Sequence, residues 1–407
     1  MARLRYTCLM AKCALLLLMA LDLTASVFAQ APRPTRLAEA DAIAALKSEL
    51  QKETSEDRFS GAILVAKNEK PIFEASSGYA DRDKKIRNTT DTKFRFGSMG
   101  KMFTAVAVLE LVEAGRIRLD DPISKYLPDY PNKDVAAVTI QQLLTHTGGT
   151  GDIFTPEYSE RRNEMKELSD YVALYGNRGP EFAPGSKWEY SNYGFLLLGR
   201  IIEVASGQSY YDYVRDHIFE PAGMDSTGNL PEDQHVRDLS IGYTKDSGPH
   251  LTLIGPGPGP GGPPHLVLKG PEPDPGNQSA NGSFRSTEET LPYRGTSAGG
   301  GYSTVGDLLK FVHALSSNKL LNAHDTKLLI TGKVDTPRPG TRYAYGFEDH
   351  STPDGVPFYG HGGGSPGMNG RLSVFPRSGY IVIVLSNFDP PAADDMARFI
   401  SDRLPAD

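Results

Sequence analysis

Cysteine is almost missing from this 407-residue chain: the two present, Cys8 and Cys13, both lie in its first 29 residues. Once that segment is removed no thiol remains, which excludes disulfides, thiolate catalysis and cysteine-based metal sites. A long hydrophobic run is missing too, since the stretch from Cys13 to Leu21 is far too short to cross a bilayer. There is no excess of positive charge: the net charge of −7 argues against a nucleic-acid partner and against a basic membrane patch. No His-Glu-x-x-His pattern or clustered carboxylate motif occurs, and the histidines are scattered, so neither a metal nor another cofactor is expected. No internal repeat is evident. What remains, 39% apolar and 23% charged, is ordinary for a globular protein with a substantial core.

The first 29 residues have the layout of an export signal. Arg3, Arg5 and Lys12 form a positive region, Cys13 to Leu21 an apolar one, and Val27-Phe28-Ala29 a small-residue cleavage site before Gln30. The protein is therefore expected to be exported, periplasmic or secreted after cleavage near Ala29, with no transmembrane or lipid anchor. Residues 30–54 read as a leader followed by an amphipathic helix marked by Ile43, Leu46 and Leu50. Residues 55–407 read as one domain, interrupted at about 247–295 by a Pro/Gly-rich insertion that includes the alternating run Gly255 to Pro264. That insertion is expected to be a surface feature or a cover over the cleft.

Strand patterns cluster at the two ends of this domain. Gly61 to Ala66 and Pro71 to Ser77 form a hairpin around Asn68-Glu69, Arg371 to Phe375 and Tyr380 to Ser386 another, and a last helix centres on Met396, Phe399 and Ile400. The middle, about 98–245, reads as largely helical. The predicted class is α+β: an antiparallel sheet built from both chain ends, flanked by helices, with an inserted mainly helical region.

Chemistry enters at Ser98-Met99-Gly100-Lys101, at the head of an amphipathic segment whose stripe is Met102, Val106, Leu109 and Val112, ending at Gly115. On a helix, positions three apart share a face, so Lys101 can reach the Ser98 oxygen. Ser98 would sit where free backbone N–H groups favour an alkoxide and an oxyanion. The same pattern at Ser316 to Lys319 ends a helix and reads as solvated surface. A second element, Tyr190-Ser191-Asn192, follows a Pro-Gly turn and leads into the apolar run from Phe195 to Ala205. Two other Tyr-x-Asn copies, at Tyr130 and Tyr175, lie in polar, turn-rich stretches and read as surface loops. The third element, Tyr359-Gly360-His361-Gly362-Gly363-Gly364-Ser365-Pro366-Gly367, is a small-residue segment that lets backbone approach a ligand. It contains a formal G-x-S-x-G, but Ser365 is followed by a hairpin rather than a helix, and Pro366 lacks the N–H of a nucleophile elbow.

Ser-x-x-Lys, Tyr-x-Asn and His-Gly-Gly in this order resemble the β-lactamase-related serine hydrolases. That family includes class C β-lactamases, D-Ala-D-Ala carboxypeptidases, D-aminopeptidases and penicillin-binding-protein-like esterases. Gly115 to Pro122, Leu143 to Gly149 and Gly299 to Thr304 look similar as well, and the likeness runs from about residue 55 to the C-terminus. The resemblance implies a β-lactamase/transpeptidase-like fold and acyl transfer through Ser98, with Lys101 and Tyr190 sharing the general-base role. The backbone N–H groups of Ser98 and Gly364 would form the oxyanion hole. Asn192, His361, Gly362 and Gly363 would contact substrate, with His361 as a positive or hydrogen-bonding group on the cleft wall. His361-Gly362-Gly363 stands where efficient β-lactamases of the family carry Lys-Thr-Gly, so the expected substrate is an ester, a small amide or a peptide. A D-Ala-D-Ala carboxypeptidase, a D-aminopeptidase, a weak class C-like β-lactamase, or a non-catalytic penicillin-binding sensor or scaffold are the alternatives. His146 is expected to be structural and Trp188 core or cleft wall.

Overall fold

A computed structural model of the chain describes residues 35–245, 250–254, 265–269 and 283–407. The expected export signal and the whole run from Gly255 to Pro264 lie outside them. From Thr35 onward the chain is one compact unit, built on an eight-stranded antiparallel sheet. Its strands are β1 Gly61–Lys67, β2 Lys70–Ser77, β3 Val334–Asp335, β4 Thr341–Tyr343, β5 Glu348–Ser351, β6 Pro357–Ser365, β7 Met368–Phe375 and β8 Tyr380–Ser386. They lie in the order β3-β4-β5-β6-β7-β8-β1-β2. The principal helices are α1 Glu39–Ser55, α2 Gly100–Glu113, α3 Asn192–Ser206, α4 Val305–Ser316 and α5 Ala392–Ser401.

Period-two alternation gives the central strands two apolar faces. Ile63 and Val65 of β1 with Val382 and Val384 of β8 pack against Leu46 and Leu50 of α1 and Met396 and Ile400 of α5. Ala62 and Leu64 with Ile383 and Leu385 point the other way, into the larger core formed with α2, α3 and α4. The sheet is thus closed by the two ends of the chain on one side and carries the helical region on the other. Asn68 and Glu69 turn the first hairpin in the left-handed region, at φ of 49° and 63°.

Several expectations are corrected. α2 is not amphipathic: every residue from Gly100 to Leu109 is buried, so the helix runs through the core rather than across its surface. Tyr130 and Tyr175 are not in surface loops but buried, with Tyr130 sharing a hydroxyl contact of 2.9 Å with Tyr193. The glycine-rich segment before the C-terminal hairpin is itself a strand, β6. Within the insertion, His250–Ile254 pairs with His265–Lys269 as an antiparallel hairpin, and Arg285–Ser286 returns to pair with Tyr243–Thr244.

Candidate active site

The chain enters α2 through a tight 3-10 turn, Gly97–Met99, which holds Ser98 half-exposed at the helix N-terminus. Gly97 makes the turn possible with φ of 53°. β6 lies directly on this turn. A β-carbon at Gly363 would collide with the Phe96 carbonyl and stand 2.8 Å from the Ser98 nitrogen, and one at Gly97 would stand 2.8 Å from the Gly364 nitrogen. The glycines therefore bring the backbones of Ser98 and Gly364 side by side. Gly362 points to the other face of the sheet, toward Arg371 and Asp394.

Lys101 is fully buried. Its Nζ donates to Asn192 Oδ1 at 2.7 Å and to the Ala298 carbonyl at 2.6 Å, and stands 3.4 Å from Ser98 Oγ. Among the described residues no carboxylate pairs with it directly. Desolvation therefore dominates and pushes its pKa down to about 7, opposed in part by the charge of Asp152 behind Asn192. Tyr190 interacts with Ser98, and its own pKa is raised, first by desolvation, so the phenol is neutral. The Lys101 ammonium also lies 4.7 Å from the centre of the Tyr190 ring.

The Tyr190-Ser191-Asn192 junction is held from several sides. Ser191 caps α3 by accepting from Gly194 N–H at 2.9 Å, and its hydroxyl contacts Thr150 and the Gly151 carbonyl. His146, in the left-handed region at φ of 58°, accepts the Ser191 N–H on Nδ1 at 3.1 Å. Its ring centre is 4.3 Å from that of Tyr190, and burial holds it neutral. The ring of the half-buried Trp188 is centred 6.5 Å from that of Tyr190 and 6.2 Å from that of Tyr343.

His361, expected as a positive or hydrogen-bonding group, does not carry the positive charge. It is 3% exposed, its Nδ1 donates to the Gly362 carbonyl at 2.5 Å, and its Nε2 accepts from the Tyr343 hydroxyl at 3.0 Å. Burial pushes its pKa down to about 4, so it is a neutral imidazole at physiological pH. Both nitrogens are occupied within the protein, and no positive charge is left for a substrate carboxylate.

Two polar residues escaped the sequence reading. Asp152 accepts from Asn192 Nδ2 at 3.0 and 3.2 Å and from Ile153 N–H at 2.6 Å, and desolvation raises its pKa. Asn369, buried on β7, donates to the Gly363 carbonyl at 2.9 Å. Asp152 had a local cue, a carboxylate just after the Gly148-Gly149-Thr150-Gly151 turn; Asn369 had none, since its strand also carries Arg371 and Ser373.

A helix-borne serine, a desolvated lysine three residues on, a neutral tyrosine and an adjacent glycine strand define a serine hydrolase. The chain belongs to the Beta-lactamase family, whose model matches residues 40–406. It is 29% identical over 347 residues to penicillin-binding protein 4 of Amycolatopsis lactamdurans, with 82% of each chain covered. Its fold matches a penicillin-binding protein from Bacillus halodurans at a TM-score of 0.72 and 31% identity, covering 86% of this chain and 98% of that one. A D-amino acid amidase from Ochrobactrum anthropi SV3, complexed with D-phenylalanine, shares the fold at a TM-score of 0.71 and 22% identity, with 89% of this chain and 98% of that one covered. Among the described residues no helix is long and apolar enough to cross a membrane.

Proposed function

We propose that the protein is an exported serine hydrolase that cleaves esters or small amides through an acyl-Ser98 intermediate. The observation that carries this reading is the 3.4 Å contact between Ser98 Oγ and a lysine whose pKa is brought down to about 7. Ser98 Oγ attacks the substrate carbonyl while Lys101 takes its proton, directly or through the Tyr190 hydroxyl. The carbonyl oxygen becomes an oxyanion against the Ser98 and Gly364 N–H groups. Collapse expels the alcohol or amine with that proton, and water then attacks the acyl-serine to release the acid and free Ser98. A sensor or scaffold would gain nothing from a lysine stripped of water, which costs stability.

A D-Ala-D-Ala carboxypeptidase or a β-lactamase binds an anionic substrate, and the neutral His361 removes the cation that would receive it. The D-aminopeptidase alternative draws support from Asp152, a half-buried carboxylate joined to Lys101 through Asn192, which would attract a free substrate ammonium. Turnover of a p-nitrophenyl ester, a D-Ala-D-Ala peptide and a chromogenic cephalosporin, side by side, tests the main reading, with the ester expected to be fastest. Cephalosporin turnover exceeding ester turnover would overturn it. The amine preference is read by comparing an amino acid p-nitroanilide with its N-acetyl derivative. Asp152→Asn should lower the ratio of free to acetylated turnover, and an unchanged ratio would remove this second reading.

A further inference from the structure

One strand edge beside Ser98 is left open by the sheet topology. β5 pairs with β6 only from Pro357 to Gly360, whereas β7 pairs with it from Tyr359 to Ser365. Among the described residues, then, β6 has a ladder partner on one side alone from His361 onward, and its other edge lies against the Ser98 turn. The peptide joining Gly363 to Gly364 is trans, so its C=O and N–H point in opposite directions. Its C=O accepts from Asn369 Nδ2 at 2.9 Å, on the β7 side. The Gly364 N–H at the other end of that peptide is thereby directed away from β7, to the edge shared with Gly97 and Ser98.

Asn369 is itself fixed. Its Nδ2 also donates to Asp394 Oδ2 at 2.9 Å, and its Oδ1 accepts the N–H groups of Ala393 and Asp394 at 2.6 and 3.1 Å, at the first turn of α5. The side chain is 1% exposed, and every hydrogen-bonding position on it that the geometry reaches is used for this clamp. Glycine has no side chain to hold a peptide plane, and two glycines flank this bond. The orientation comes from β7: its ladder pairs Gly370 with Gly363, and the Asn369 side chain adds a second, side-chain hold on the same carbonyl.

We propose that Asn369 is a positioning residue for the oxyanion hole: it locks the Gly363–Gly364 peptide plane and so aims the Gly364 N–H at the substrate oxygen. This rests on the acyl-Ser98 reading above. Loss of the clamp leaves the donor present but loosely aimed, and a misplaced group near the reacting atoms costs on the order of 10- to 100-fold.

The test compares Asn369→Ala with Asp394→Ala. Both weaken the link between β7 and α5, the first by removing all of it and the second by removing the Asp394 carboxylate, but only the first removes the hydrogen bond to Gly363. Each variant is assayed with an oxo-ester and the matching thiono-ester, whose C=S develops charge on sulfur and gains less from N–H donors. Asn369→Ala should lower kcat for the oxo-ester by about 10- to 100-fold with little change in KM, and should lower the oxo-to-thiono ratio. Asp394→Ala should keep the wild-type ratio. If Asn369→Ala does not fold, the double variant Asn369→Asp/Asp394→Asn keeps acceptors for the α5 N–H groups while losing the donor to Gly363, and the same fall in ratio is expected. An unchanged ratio in the folded Asn369 variant overturns the proposal. Wild-type acylation at Ser98, read by mass spectrometry, separates the two levels: its absence would defeat the parent reading, whereas its presence with an unchanged ratio defeats only the role of Asn369.

Discussion

Two buried nitrogens lie near enough to feel each other's charge, and the same physical force has opposite consequences for them. Lys101 and His361 are both stripped of water, and desolvation is the largest influence on each. Lysine starts near 10.5 and is brought to about 7, where it exchanges a proton at physiological pH. Histidine starts near 6.5 and is brought to about 4, where it does not. Their hydrogen bonds follow the same division. Lys101 spends its donors on two neutral oxygens and keeps a line to Ser98. His361 is closed off by Gly362 and Tyr343. Burial alone does not make a functional group: the outcome depends on where the unperturbed pKa begins and on whether a reacting atom is among the partners.

The sharpest way to break this comparison is to remove the working side. Ser98→Ala should abolish turnover and labelling by a fluorophosphonate probe, while Ser365→Ala, at the end of β6 and followed by a turn into β7, should leave both largely intact. Labelling that maps to a Ser365 peptide would contradict the assignment. Lys101→Ala and Tyr190→Phe should each lower kcat by on the order of 10²–10⁴, as for loss of a general base or its relay. Combined, they should cost less than the product of the two, because they serve one proton transfer.

A gentler test uses pH. Below about 7 Lys101 is increasingly protonated and cannot accept from Ser98, so kcat/KM for a neutral ester should fall about tenfold per unit on the acid side and level off above it. Asp152→Asn removes the charge that opposes the lowering of the Lys101 pKa, so the inflection should move to lower pH. An inflection that stays in place would mean that Asp152 does not act on Lys101 through Asn192.

How much of this was readable beforehand follows from how local each contact is. Ser98 and Lys101 are one helical turn apart, and Tyr190 and Asn192 share one junction, so their chemistry showed in short motifs. The sheet from both chain ends was legible because Ile63, Val65, Val382 and Val384 alternate cleanly. β6 was not, since four glycines carry no strand propensity and its register comes from β7. Tyr130 and Tyr175 looked like loop residues because their neighbours are polar, yet each places a ring in the core and a hydroxyl on a partner, Tyr193 for one and the Ile153 carbonyl for the other. The neutrality of His361 depends on Tyr343 and on burial by distant segments, and no pattern around residue 361 encodes it. Asn369 is similar: its partners lie on β6 and α5, brought together only by the fold.

The smallest expected effect concerns the inert side of the cleft, and it is a predicted flatness. Were His361 an ordinary histidine, its charge would appear between pH 8 and 6, and a carboxylate-bearing peptide would gain on a neutral ester over that range. With its pKa at about 4 the imidazole stays uncharged throughout. The titration of Lys101 affects both substrates alike and cancels in their ratio. The ratio of kcat/KM for the two substrates should therefore be constant from pH 8 to 6 in the wild type. The same lowered pKa has a stability counterpart: between about 6.5 and 4 the unfolded chain holds a proton on this histidine that the folded one does not. Stability therefore falls as pH drops through that window, and the loss is complete below about 4. His361→Gln should flatten part of that slope in melts taken from pH 6.5 to 4, without altering the substrate ratio at pH 7. A carboxylate preference that rises toward pH 6 would show instead that His361 gains its proton near 6.5 and reads substrate charge, and the contrast with Lys101 would fail.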